Sequence, residues 1–361
     1  MELAYESMNP PLVGDFRGAV TLSASDLSGS VYEYIVSCSA EGHYPNFIHV
    51  LDARITSDRT PIVISRTDPI TRERVAELAS LGYLLYHSSS GEARFVHRAR
   101  IPTLWSPVMD GSIKVDENGV YYTIDVRLPK ADVNRLVVVF SGVAAKPSSP
   151  WLSRYFEPNY RHLTGLTSAD TAILRIADVG GVVGAFYGPT RDRPNNRIAV
   201  TGLIDSVIRD LGVRRDRVCL VGSSKGATGA VLHGLISRLP FVAVDPIVSD
   251  RFYEDVLNDA HFTSGPVFFE SKDDVFGRLV SEIDGRGDMF AGFLTSPHSE
   301  QYNLVRDFYS QLTGSSGLFS TADPRIDGHP AVAGSTLGMT VTLVNCVVHN
   351  LPLWTGCYSF V

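Results

Sequence analysis

An α/β fold, with a mostly parallel sheet covered by helices on both faces and a smaller α/β region in front of it, is predicted by three observations. Apolar strand-sized runs alternate with amphipathic segments from about Ala131 onward, the signature of a parallel sheet with crossover helices. Val200, Leu203, Ile204, Val207, Ile208 and Leu211 recur at helical spacing and form a continuous face to lay on such a sheet. The 361 residues, 44% hydrophobic and 20% charged, with a mean hydropathy of +0.05, suffice for a large core and exclude a chain whose main state is disorder.

In chain order, residues 61 to 87 read as strand Pro61 to Ser65, a helix from about Thr71 to Leu81, and a strand from Gly82 to Tyr86. Asp68 or Thr67 would cap that helix, with Pro69 in its first turn. Ile113 to Val126 reads as a hairpin around Asn118-Gly119, a pair suited to the positive φ of a type I′ turn. The expected organisation is thus an N-terminal region over 1–130 and a second domain over 131–361. In the second domain strands fall at Leu136 to Phe140, Ala172 to Ile176, Arg217 to Val221, Phe241 to Val244 and Pro266 to Phe269. Helices fall at about Asn195 to Leu211, Lys225 to Leu239 and Glu300 to Leu312. From about residue 313 a C-terminal extension follows, in which MTVTLVNCVV reads as one more strand or hairpin outside the core.

Charge and cysteine usage narrow the function classes. Lys+Arg number 32 against Asp+Glu 39, a formal charge of −7 without a basic run, which argues against a nucleic-acid partner. Four cysteines without a CxxC pair predict neither a zinc site nor a disulfide scaffold. The start, MELAYESMNPPLVGDF, carries early acids and no apolar core of signal-peptide length, and no run is long enough to span a membrane. A cytoplasmic protein is expected, with no metal or organic cofactor; a homo-oligomer is left open.

The sharpest motif is Gly222-Ser223-Ser224-Lys225-Gly226, a G-x-S-x-G placed between a predicted strand and a predicted helix. On that turn Ser224 would project as a nucleophile, and the first amides of the helix, Lys225 above all, would hold an oxyanion. The bland alternative is a Gly-Ser turn that binds phosphate without chemistry. The chain has no GxxxxGK[ST] and no GxGxxG, so the common nucleotide-binding turns lack their motif. Lys225 itself would add a positive charge near the anion, contact an acidic substrate, or stand solvated at the helix start.

A serine needs a base and a carboxylate to orient it, expected in the order serine, acid, histidine. His298, in the loop Thr295-Ser296-Pro297-His298-Ser299 before the last amphipathic helix, is the expected base, against a solvated loop histidine. Asp273 is the first choice of acid and Asp274 the second, at the end of Pro266 to Phe269, against a solvated turn or helix cap. Asp245, in FVAVDPI, is an alternative holder of the base, with Pro246 arguing equally for a bend. His261 is a reserve base or a substrate contact. In Phe140-Ser141-Gly142-Val143-Ala144, Gly142 permits close backbone approach to substrate and Val143 offers a second oxyanion amide.

The segments LRIADVGGVVGAFYGPT, VGSSKGATGAVLHG, and VAVDPIVSD with NDAHF resemble the XcbB/CpsF family of capsular polysaccharide biosynthesis proteins. The resemblance covers about residues 135–310, rests most on the SSKG elbow and the DPI segment, extends to GYLLYH in the N-terminal part, and does not reach the last fifty residues. It implies an α/β-hydrolase-like fold, distantly similar to accessory secretion-system proteins associated with carbohydrate O-acetylation. The expected function is serine-dependent acyl transfer or hydrolysis on a small-molecule or glycan acyl substrate. The alternatives are a non-catalytic scaffold or glycan-binding partner on the same fold, and an amidase or peptidase.

Overall fold

The computed structural model describes residues 12, 14–23, 29–37, 43–282, 289–312 and 314–360. Residues 1–11 and 13 of the start read for a leader, and Cys38, lie outside the described residues. The center of the molecule is a nine-stranded sheet. Its strands are β1 (Lys114–Val115), β2 (Tyr121–Asp125), β3 (Arg135–Phe140), β4 (Thr171–Ile176), β5 (Val218–Ser223), β6 (Phe241–Val244), β7 (Ala291–Thr295), β8 (Ser316–Thr321) and β9 (Gly356–Phe360). They lie in the order β1-β2-β4-β3-β5-β6-β7-β8-β9. The β1-β2 and β2-β4 pairs are antiparallel and all the others parallel.

Side-chain alternation along the buried strands builds two cores. Leu136, Val138 and Phe140 of β3 face the helices Asn196–Leu211, Lys225–Ser237, Lys272–Glu282 and Tyr302–Tyr309. Val137 and Val139 face the other side, where Leu343, Val344, Val347 and Val348 of the helix Leu337–Val348 cover the sheet. That helix is the MTVTLVNCVV segment expected as a strand. Its apolar positions recur at i and i+4, and the Thr340 and Thr342 hydroxyls donate back to the Thr336 and Gly338 carbonyls, so the β-branched residues are satisfied within a helix.

Two further expectations change. Pro61–Ile64 is a helical turn rather than a strand: Thr60 caps it by accepting from the Val63 N–H, and Pro61 stands at its start, where the missing donor costs nothing. Gly265–Val267 is a single 3-10 turn, since Pro266 removes a donor that a central strand would need; Val267 and Phe268 are nevertheless buried. The parallel strand in its place is β7. The helix Pro69–Ser80 has the expected Asp68 cap, accepting from the Ile70 and Thr71 N–H groups.

The expected boundary at 130/131 falls within the sheet, because the hairpin strands β1 and β2 pair onto β4. Before them a four-stranded sheet, built from Ala19–Ser23, Phe47–Leu51, Tyr83–Ser89 and Glu92–His97, packs with Pro69–Ser80. Its core is continuous with Val183, Phe186, Ile247, Tyr253 and Phe268 of the larger unit. Polar ties cross the same seam: Thr60 to the Ser148 carbonyl, Arg72 to the Asn258 carbonyl, and Arg154 to the Leu85 carbonyl. The N-terminal unit is thereby fixed over loops that follow the carboxyl ends of the central strands. Among the described residues no single helix is long and apolar enough to cross a membrane.

Candidate active site

Ser224 sits between β5 and the helix Lys225–Ser237 with φ 54 and ψ −123, a conformation that costs energy in a residue with a side chain. The two flanking glycines explain how the turn closes. A Cβ on Gly222 would lie 2.2 Å from the Gly226 carbonyl carbon, and one on Gly226 would lie 2.3 Å from the Phe140 oxygen. The motif therefore brings strand, helix and β3 to backbone contact, and the serine is the group left projecting. Its N–H donates to the Val244 carbonyl, which fastens the turn to β6.

Ser224 Oγ lies 2.7 Å from His329 Nε2, and His329 Nδ1 lies 2.6 Å from Asp245 Oδ2. An ionised carboxylate can only accept, so Nδ1 carries the imidazole proton and Nε2 is the lone pair facing the serine. Asp245 is 1% exposed and follows β6 in a left-handed conformation, φ 50. It also accepts from Thr295 Oγ1 at 2.5 Å and from Ser299 Oγ. His329 opens the helix His329–Ser335 just after Gly328, whose φ of +150 suits glycine. Glu300 accepts from the His329 backbone N–H at 2.7 Å, which sets the ring's approach.

The sequence-expected residues are distributed as follows. His298 is exposed, and its backbone N–H donates to Ser296 Oγ. The loop containing it does serve the site, through its neighbours Thr295 and Ser299, but His298 is not in contact with Ser224; His329 is. Asp273 accepts from Ser249 Oγ, from the Asp250 N–H and from Arg251 Nε, while Asp274 exchanges hydrogen bonds with Ser271. Both belong to the start of the helix Lys272–Glu282, the helix-cap alternative, and neither reaches a histidine. The carboxylate on the histidine is Asp245, the alternative holder.

On the oxyanion side, the Lys225 N–H is the first of its helix and has no intrahelical acceptor. Among the described residues the Val143 N–H has no acceptor either. The Gly142 N–H is taken by Asn159 Oδ1 at 2.6 Å, and a Cβ on Gly142 would lie 3.2 Å from the Ser223 carbonyl. Gly142 thus brings its loop against the elbow.

The Lys225 side chain takes none of its three expected roles. It is 0% exposed and paired with Asp178 at 3.1 Å, and it donates to the Val183 carbonyl. Burial pushes its ammonium pKa down, against the opposing pull of Asp178. Asp178 in turn accepts from the N–H groups of Phe186 and Tyr187. A Cβ on Gly184 would collide with both Asp178 Oδ2, at 2.4 Å, and Lys225 Nζ, at 2.5 Å. The glycine-rich run ADVGGVVGAFYG is wrapped around this ion pair, directly beneath the elbow.

Sequence reasoning missed His329. A signal existed in FSTADPRIDGHP: a Gly-His-Pro step after a strand, with the histidine at a helix start, and it satisfies the order serine, acid, histidine. Recognition of β7 and β8 would have placed it at the carboxyl edge of the sheet.

No family model matches the sequence, and no curated protein matches it. Among solved structures the chain is similar to an arylesterase, with 14% identity and a TM-score of 0.42 over 66% of this chain and 84% of that one. It is similar to the capsule O-acetyltransferase of Neisseria meningitidis serogroup A, with 14% identity and a TM-score of 0.44 over 63% and 92%. It is also similar to the Glycosylation Associate Protein (Gap123) complex from Streptococcus agalactiae, with 17% identity and a TM-score of 0.45 over 64% of this chain; the match spans 45% of that chain.

Proposed function

We propose that this chain is a serine-dependent acyltransferase or esterase of α/β-hydrolase type, with Ser224 as nucleophile, His329 as general base and acid, and Asp245 as its orienter. The observation that carries the reading is the unbroken relay of 2.7 Å and 2.6 Å from Ser224 through His329 to Asp245, within the range a general base requires. Ser224 Oγ attacks the carbonyl carbon of an ester while its proton passes to His329 Nε2. The resulting imidazolium is stabilised by Asp245. The Lys225 and Val143 amides receive the oxyanion. Collapse breaks the bond to the leaving alcohol, which takes the proton from His329. Water or a glycan hydroxyl then gives its proton to His329 and attacks the acyl-serine, and as the acyl–Oγ bond breaks His329 returns the proton to Ser224 Oγ. The glycan acceptor is the part of the proposal that follows from the resemblance to capsular polysaccharide biosynthesis proteins.

The test is intact-mass analysis after treatment with a neutral alkyl fluorophosphonate. Wild-type protein gains one adduct, on Ser224, while folded Ser224→Ala and His329→Ala gain none and His298→Ala labels like wild type. Unlabelled wild-type protein, shown by circular dichroism to be folded, would sink the reading.

A further inference from the structure

We propose that the small cavity lined by Val143, beside the Ser224 turn, receives an anionic substituent of the substrate, a carboxylate or phosphate gripped by Arg66 of the N-terminal unit. The inference rests on the reading of Ser224 as an acyl-transferring nucleophile and extends it to the charge class of the substrate. The cavity holds about 30 Å³, room for two or so water-sized groups, since one water needs ~10–15 Å³. Val143, Ile247, Tyr253 and His261 line it together with Arg66. Three observations tie this lining to the site: Val143 carries an amide without an acceptor among the described residues, Ile247 follows Asp245 by two residues and is bonded through both its carbonyl and its N–H to Thr228 of the elbow helix, and the Tyr253 and His261 rings meet edge-on at 5.5 Å.

Two of the cavity's polar groups are unspent. His261 Nδ1 is buried without a partner, and the Arg66 guanidinium, on an exposed residue, is in no ion pair among the described residues. The carboxylates that could neutralise Arg66 are engaged elsewhere. Asp259 Oδ1 is turned into its own loop, accepting from the Thr263 N–H and hydroxyl and the Ser264 N–H. Asp68, two residues along the chain, is paired with Arg54 at 2.5 Å while capping its helix. A solvent-facing guanidinium outside any ion pair, at the mouth of a small cavity that holds an unpartnered imidazole nitrogen, is matched by a planar or tetrahedral oxyanion, which accepts several of its donors at once. The N-terminal unit then has a task in the reaction: it selects the substrate that the elbow opens.

The experiment compares labelling rates of full-length protein with two fluorophosphonates of equal length, one neutral and one ending in a carboxylate, in wild type and Arg66→Ala. Wild type is expected to react at least about 10-fold faster with the anionic probe, a preference that salt reduces. In Arg66→Ala the two rates converge while the neutral-probe rate stays within about twofold of wild type. Equal rates in wild type, or a preference that survives in Arg66→Ala, overturns the anion subsite and leaves the nucleophile intact. Failure of both probes on folded wild-type protein overturns the nucleophile reading, and this inference with it.

Discussion

Asp245 accepts three hydrogen bonds from two segments, Thr295 and Ser299 at the end of β7 and His329 at a helix start. Its two oxygens are therefore pinned before substrate arrives, and only one orientation of the imidazole satisfies them. Asp245→Asn should cut kcat by roughly 10³–10⁴-fold, because the amide no longer fixes the Nδ1–H tautomer; labelling and ester turnover measure it. Thr295→Val removes one support at constant shape, and is expected to cost about 1 kcal/mol in urea denaturation while lowering kcat more than it raises KM. Ser224 was legible in the sequence because its signal is local: two glycines and a serine within five residues. His329 was not, because what qualifies it is contact with residues 105 and 84 positions away. Asp273 and Asp274 misled for the same reason, since carboxylates at a sheet edge and carboxylates at a helix start look alike in sequence.

At the scale of elements, the elbow is held from above by contact and from below by charge. Gly226→Ala would force a Cβ to within 2.3 Å of the Phe140 oxygen, and is expected to destabilise by on the order of 3 kcal/mol, read as a lowered urea midpoint with unchanged slope. Beneath it, Lys225→Met would strand the Asp178 carboxylate, which is 2% exposed. A cost of roughly 3–5 kcal/mol is expected for the single change, and much of it should return in Lys225→Met/Asp178→Asn, where no lone charge is left inside. A double-mutant cycle by chemical denaturation checks both. Helices with a regular apolar period, such as Asn196–Leu211, were read correctly from pattern, whereas Leu337–Val348 was not, because threonines and valines favour strands until neighbouring carbonyls accept the hydroxyls. Strands β7, β8 and β9 escaped notice through their glycines and serines. At Gly292 the Phe290 ring occupies the space of a side chain, and at Gly317 the Trp354 carbonyl and the Phe319 ring do.

For the whole molecule, two buried histidines, one in each unit, tie stability to acidity. Burial pushes His233 down to about 4 and His97 to about 3, from an ordinary 6.5. A histidine depressed on folding binds its proton more readily in the unfolded chain, so the contribution is complete above about pH 6.5 and is lost as pH falls toward 4 and 3. At pH 5 each should cost about 2 kcal/mol relative to pH 7.5. Thermal melts across that range should show falling Tm, and His233→Asn should flatten the dependence; a Tm indifferent to pH would contradict it. The α/β class was legible from alternation and composition, but the joining of the units was not. The hairpin β1-β2 reads as a self-contained turn, and only its pairing with β4 reveals that the first strands of the sheet come from the N-terminal side of the expected boundary.

The order of the relay along the chain has a consequence for its synthesis. A ribosome adding roughly 5–20 residues per second makes the serine long before its base, since 105 residues separate them. For on the order of 5–20 s the nascent protein carries the Ser224 turn, joined by Asp245 21 residues on, but not the imidazole. On the proposed mechanism the emerging polypeptide is inert toward acyl donors through that interval, and its reactivity begins once β8 has been made and residue 329 docks.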